Sequence, residues 1–175
     1  MALQKLTFVL GGAASGKSAI AEQIVNATGK PKVYLATAQA FDLEMKEKIA
    51  AHQKDRGNGW TTVEEPFEIA EVVQQQNPQH IILIDCLTLW LTNILLAEQD
   101  LDAAFDTFLA SLESAPCEVV LVSNEVGHGI VPDNALSRRF RAAQGRLNQR
   151  VASLCDPVVA VMAGLPLALK GELPE

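Results

Sequence analysis

Residues 11–18 read Gly-Gly-Ala-Ala-Ser-Gly-Lys-Ser, a small-residue octet that closes on a lysine and a hydroxyl. It follows the apolar run Leu6-Thr7-Phe8-Val9-Leu10 and leads into Ala19-Ile20-Ala21-Glu22-Gln23-Ile24-Val25. Strand, G-x-x-x-x-G-K-[ST], helix is the layout of a phosphate-binding P-loop. Gly11 and Gly16 admit backbone angles that other residues avoid, so N–H groups along Gly12, Ala13, Ala14 and Ser15 can turn inward around a phosphate. The helix starting near Lys17 adds its positive dipole end. Lys17 can reach the β- and γ-phosphates, and the Ser18 hydroxyl can hold Mg²⁺. The chemistry implied is binding of a nucleoside triphosphate.

Other residues can complete such a site. Asp85 ends the apolar run Ile81-Ile82-Leu83-Ile84, where an acid can ligate Mg²⁺ directly or through water, or can cap the helix that begins at Leu87. Thr37-Ala38-Gln39 follows a second apolar run and offers short polar groups, either to a nucleotide or to the next helix as caps. Lys48, His52 and Arg56 recur at i, i+4 and i+8 on a helical stretch. A neutral imidazole there can attack phosphorus while the two cations stabilise phosphates, and the same spacing equally describes an exposed histidine on a charged helix. Glu64 and Glu65 precede Pro66, and one of them could take a hydroxyl proton or help hold metal, or the pair could sit solvated in a loop. His80 reads as structural. Ser123-Asn124-Glu125-Val126-Gly127-His128-Gly129 directly follows an apolar strand, with two glycines that suggest a sharp turn or a close approach to a ligand.

The elements that must position these groups are legible as alternation. Strand-like runs are Leu6–Leu10, Lys32–Ala36, Ile81–Asp85, Val119–Ser123 and Val158–Ala163. Helical periodicity marks Ser18–Ala27, Asp42–Lys54, Phe67–Gln75, Leu87–Ala97, Leu101–Leu112 and Asn134–Leu154. The strands are nearly continuous Val, Ile and Leu, the pattern of strands buried on both faces. Alternation of strand and helix predicts an α/β fold, a mostly parallel central sheet with helices on both faces. Arg56–Pro66 shows no clear pattern. One P-loop nucleotide-binding domain is expected over residues 1–175.

Composition narrows the function classes. A formal net charge of −7 argues against nucleic acid or an anionic membrane as main partner. The longest apolar stretch, Leu87 to Ala97, is too short to span a bilayer. Three scattered cysteines without a C-x-x-C pair fit a reduced, cytoplasmic setting and no zinc site, and Met1-Ala2-Leu3-Gln4 passes into the first strand without a secretory pattern.

Six stretches, in order, carry a resemblance to one family. They are residues 11–18; Tyr34-Leu35-Ala36-Thr37-Ala38; Ile49-x-x-His52-x-x-x-Arg56; and Trp60-x-Thr62-x-Glu64-x-Pro66. Asp85-Cys86-Leu87-Thr88-Leu89-Trp90-Leu91-Thr92-Asn93 and Ser123-Asn124-Glu125-Val126-Gly127-x-Gly129-Ile130-Val131-Pro132 complete the set. The chain resembles the bifunctional adenosylcobinamide kinase/adenosylcobinamide-phosphate guanylyltransferases of cobalamin biosynthesis. The resemblance implies a RecA-like P-loop NTPase fold and a homotrimer. It implies that ATP or GTP phosphorylates the aminopropanol hydroxyl of a corrinoid, adenosylcobinamide. GMP is then transferred from GTP to that phosphate through a guanylylated histidine, His52 here. It also implies nucleotide contacts at Gly11 to Ser18, Thr37, Ala38, Gln39, Gln53, Lys54, Asp55, Arg56, Glu64 and Asp85, with Mg²⁺ at Ser18 and Asp85. Two readings stand beside it: a P-loop kinase of another small-molecule hydroxyl without nucleotidyl transfer, and a RecA-like nucleotide-switch module.

Overall fold

A computed structural model describes residues 5–39 and 59–174 of the chain. Seven strands form one sheet: β1 (Leu6–Gly11), β2 (Lys32–Ala36), β3 (Trp60–Glu64), β4 (Ile81–Asp85), β5 (Glu118–Asn124), β6 (Val158–Met162) and β7 (Leu165–Lys170). Their order across the sheet is β3-β2-β4-β5-β1-β6-β7, with every pairing parallel except the β6–β7 hairpin. The described helices are α1 (Lys17–Ala27), α2 (Ile69–Gln74), α3 (Leu87–Leu96), α4 (Leu101–Glu113) and α5 (Ala135–Leu154).

Alternate residues of the central strands feed two cores, one on each face, because successive side chains of a strand point to opposite sides. Phe8, Leu35, Ile82, Ile84 and Leu121 join α2 to α5. Val9, Tyr34, Leu83, Val122 and Val159 pack on the α1 residues Ala21, Ile24 and Val25. The apolar helix α3 is a core element, with Leu87, Trp90, Leu91, Ile94 and Leu95 buried. Trp90 stacks at a tilt on Phe108, 5.0 Å between centroids, and its indole N–H donates to Phe67 O at 2.8 Å. That pairing satisfies the one polar atom of a buried indole.

Two strands depart from expectation. The patternless stretch contains β3, whose residues are exposed or half-buried because it forms one edge of the sheet. At the opposite edge β7 follows a two-residue turn, Ala163-Gly164, both in the left-handed region (φ 53° and 77°) that such hairpins require. The expected helix Asp42–Lys54 lies outside the described residues.

The three thiols are free and buried. Burial pushes Cys86 and Cys117 up from 9.0 to about 11, and Cys155 up to about 12. Below pH 9 folded and unfolded thiols are alike protonated. Above it the unfolded thiols ionise first, so the unfolded chain binds fewer protons and stability falls as pH rises. The urea midpoint should therefore decline between pH 9 and about 11, with a shallower decline in Cys155→Ala.

Candidate active site

Parallel pairing sets the strand ends level. Gly11 of β1 stands opposite Asn124 of β5 and Val161 of β6, and Ala36 of β2 stands opposite Asp85 of β4 and Glu64 of β3. All the strand-end residues singled out by sequence thus lie along one carboxyl edge, where ligands of open α/β sheets bind.

The loop between β1 and α1 occupies the middle of that edge. Gly12, Ala13, Ala14 and Gly16 are exposed, and Gly16 caps α1 in the left-handed region at φ 91°. Ser15 N–H donates to Gly12 O at 3.3 Å, and Lys17 Nζ folds back to the same carbonyl at 3.2 Å. The β6–β7 turn braces the loop from the side. Gly164 N–H donates to Ser15 O at 2.8 Å, and a Cβ on Gly16 would come within 3.1 Å of Gly164 Cα. A Cβ on Gly11 would collide with Val161 O and Ser15 Oγ, so both motif glycines are required by their surroundings.

Asp85 ends β4, two strand spacings or about 10 Å from β1. Its alternative role as helix cap falls away, since Cys86 occupies the N-cap of α3 and makes no side-chain cap bond. After burial, the Asp85 carboxylate contributes to raising the Cys86 pKa while the Lys17 ammonium opposes it, so both charges act at that point. Asp85 and Ser18 are half-buried hard oxygen donors with no hydrogen bond to either side chain from a described residue. Among the described residues no group of three His, Cys, Asp or Glu could hold a metal. Two sparse oxygen donors suit Mg²⁺, which keeps waters and takes further ligands from substrate phosphates.

Thr37 behaves differently from a loop residue. Its side chain is fully buried; Oγ1 donates to Cys86 O at 2.7 Å and accepts from Cys86 N–H at 2.9 Å. Asn93 Nδ2 donates to Thr37 O at 2.8 Å and to Pro66 O at 3.0 Å, tying the loops after β2 and β3 to α3. The exposed face of this segment is left to Ala38 and Gln39, both half-buried. Glu64 is exposed, four strand spacings or about 19 Å along the sheet from β1. Glu65 is engaged locally, accepting from Phe67 N–H and Glu68 N–H at 2.9 and 3.0 Å. His52, Gln53, Lys54, Asp55 and Arg56 lie outside the described residues, as does Lys48.

The segment after β5 borders the phosphate loop directly, with Glu125 N–H donating to Gly11 O at 2.9 Å. Gly127 N–H donates to Glu125 Oε1, and Arg141 Nη2 donates to Gly127 O. Arg138 Nη1 holds Pro132 O and Asp133 O at 3.0 and 2.7 Å. Asn134 caps α5 by accepting from Ser137 N–H at 2.7 Å. Two of the helix arginines therefore hold loop carbonyls, and a third, Arg150, pairs with Asp106 at 2.5 Å. Sequence reasoning missed Asn93, whose signal was a lone amide in an apolar helix, and Gly164, signalled by Ala-Gly between two apolar runs.

The fold and loop define a P-loop nucleotide-handling domain of the RecA-like kind. Solved structures share the architecture. A prototypical ATPase of the type III secretion system of pathogenic bacteria matches with a TM-score of 0.57 at 15% identity, over 94% of this chain and 56% of that one. The RadB recombinase matches with a TM-score of 0.51 at 14% identity, over 97% and 82% of the two chains. At these identities the likeness is one of fold alone.

Sequence comparison gives the particular family. Residues 7–169 match the family model described as cobinamide kinase / cobinamide phosphate guanyltransferase. The bifunctional adenosylcobalamin biosynthesis protein CobP of Pseudomonas aeruginosa is 45% identical over 167 residues, 94% of this chain and 96% of that protein. The corresponding protein CobU of Escherichia coli is 35% identical over 181 residues, 94% and 99% of the two chains. The chain belongs to this family.

Replacing Thr37 by valine leaves the Cys86 N–H and C=O without their partner in the interior, at a cost of about 1–3 kcal/mol. Urea unfolding should show that loss for Thr37→Val and most of it recovered in Thr37→Ser.

Proposed function

We propose that the protein is the bifunctional enzyme of cobalamin nucleotide-loop assembly. It phosphorylates adenosylcobinamide and then converts the phosphate to adenosylcobinamide-GDP. The reading is carried by family membership across residues 7–169 together with an intact phosphate loop at the sheet edge.

In the kinase half, the phosphate loop Gly11–Ser18 cradles the triphosphate of ATP or GTP through backbone N–H groups and the α1 dipole. Lys17 leaves its contact with Gly12 O for the β- and γ-phosphates. The aminopropanol oxygen attacks the γ-phosphorus, the nucleoside diphosphate departs, and the hydroxyl proton passes to a base. Ser18 and Asp85 would hold Mg²⁺, which supplies charge neutralisation on the phosphate oxygens. In the transferase half, a neutral His52 nitrogen attacks the α-phosphorus of GTP and pyrophosphate leaves. An oxygen of the corrinoid phosphate then displaces the histidine, forming the pyrophosphate bond of the product and regenerating His52. Ala38, Gln39, Gln53, Lys54, Asp55 and Arg56 are assigned to the nucleotide. Glu64 is assigned to nucleotide groups away from the phosphate loop, a reading that its distance from β1 supports. The enzyme acts as a single domain in the cytoplasm, as a homotrimer. Among the described residues no helix is long and apolar enough to cross a membrane.

Incubation with Mg²⁺ and GTP labelled at the α-phosphate, without corrinoid, should label the wild-type chain in an acid-labile, base-stable bond. His52→Ala should carry no label. Absence of label on wild type would leave a kinase without the transfer step.

A further inference from the structure

Resting on that reading, the acceptor is a broad macrocycle whose reactive hydroxyl hangs on a short arm. When the hydroxyl meets the γ-phosphate, the ring must lie on the rim beside the phosphate loop. Two segments border that loop at the sheet edge: residues 125–134 after β5, and the β6–β7 turn. Both carry exposed apolar side chains, and their surroundings separate them.

On the hairpin, Leu165, Leu167 and Leu169 continue down the length of β7, away from the phosphate loop. The turn itself is committed to bracing Ser15 and Gly16. After β5 the apolar exposure is compact: Ile130 is 96% exposed, Val131 67% and Leu136 52%. Ile130 and Val131 lie between points where the loop is held, Glu125 on Gly11 O and Arg141 on Gly127 O before them and Arg138 on Pro132 O and Asp133 O after them, and Leu136 follows in the first turn of α5. Six Cα steps, at most about 22 Å, lead from Asn124, level with Gly11, to Ile130. The root of this segment is bonded to the phosphate loop through Glu125 N–H and Gly11 O, so Ile130 and Val131 belong to the segment that borders that loop. Three large apolar side chains exposed within seven residues cost solubility and signal a ligand or partner surface.

We propose that Ile130, Val131 and Leu136 form the platform on which the apolar face of the acceptor's corrin ring rests. The ring's methyl-bearing face matches branched aliphatic side chains. Its peripheral carboxamides need hydrogen-bonding partners, and the adjacent exposed Gly127-His128-Gly129 supplies backbone groups and an imidazole. Ring contact at a site separate from the triphosphate gives the enzyme a way to grip the acceptor without altering nucleotide affinity.

The test is steady-state kinase activity of the full chain with adenosylcobinamide and a saturating triphosphate, for wild type, Ile130→Ser/Val131→Ser and Ile130→Leu/Val131→Ile. The serine variant should raise the corrinoid KM about tenfold, with kcat and the triphosphate KM within about twofold of wild type. The aliphatic variant should restore the wild-type corrinoid KM. An unchanged corrinoid KM in the serine variant overturns the platform. A changed subunit number on sedimentation also overturns it, assigning these side chains to a second copy of the chain. Wild type that binds triphosphate but leaves the corrinoid unphosphorylated would overturn the proposed function itself, and this inference with it.

Discussion

The edge on which the site is built depends on strand ends that stop level, and one buried hydroxyl holds that level between β2 and β4. Thr37 both donates to and accepts from Cys86, closing the first peptide beyond the ladder. Beyond a last strand pair the backbone groups ordinarily turn to water. Here they are buried, and an unpaired buried group costs as much as a lost hydrogen bond. Asn93 extends the arrangement by taking Thr37 O and Pro66 O with one amide nitrogen. Asp85 therefore leaves β4 in a fixed direction, with its carboxylate free of protein partners among the described residues. The same three residues fix where Ala38 and Gln39 begin.

On the other side of the edge, sterics replace polar latching. Gly11 has no room for a Cβ between Val161 O and Ser15 Oγ, and Gly16 sits against Gly164. The last strand pair thus reaches forward through its turn to support the phosphate loop, and β7 is more than an edge cover. Lys17 rests on Gly12 O without closing the loop around itself, leaving Gly12, Ala13 and Ala14 exposed. A loop shaped by contacts at its flanks is preorganised for an anion, which lowers the ordering cost of binding.

The parts visible in sequence were those set by local pattern. Continuous runs such as Ile81–Ile84 identify a strand buried on both faces, and the strand–loop–helix order around Gly16 identifies the phosphate loop. Edge strands hid for opposite reasons. Trp60–Glu64 faces solvent enough to lose its alternation, and Pro166 interrupts Leu165–Lys170, which forms an edge strand, where a proline is tolerated. Thr37 read equally as cap or ligand, because the Cys86 backbone groups that its hydroxyl bonds lie 49 residues away. Side-chain partners at such separations depend on register, which a single sequence does not encode locally.

Register also explains why an apolar core gives way to amides near the site. Ser123, facing α5 at the end of β5, donates to Asn148 Oδ1 at 2.7 Å and accepts from Gln144 Nε2 at 3.0 Å. Asn148 Nδ2 in turn donates to Asn124 O at 3.0 Å, the carbonyl where the strand passes into the loop toward Gly127. Hydrocarbon at these positions would pack as well and leave that carbonyl unpaired, whereas the amides fix it to α5. Because α5 also holds Gly127 O, Pro132 O and Asp133 O through Arg141 and Arg138, one helix sets the start, middle and end of the loop. The loop can then expose Ile130 and Val131 without collapsing onto the phosphate loop beside it, since its backbone is anchored before its apolar side chains find a surface to cover.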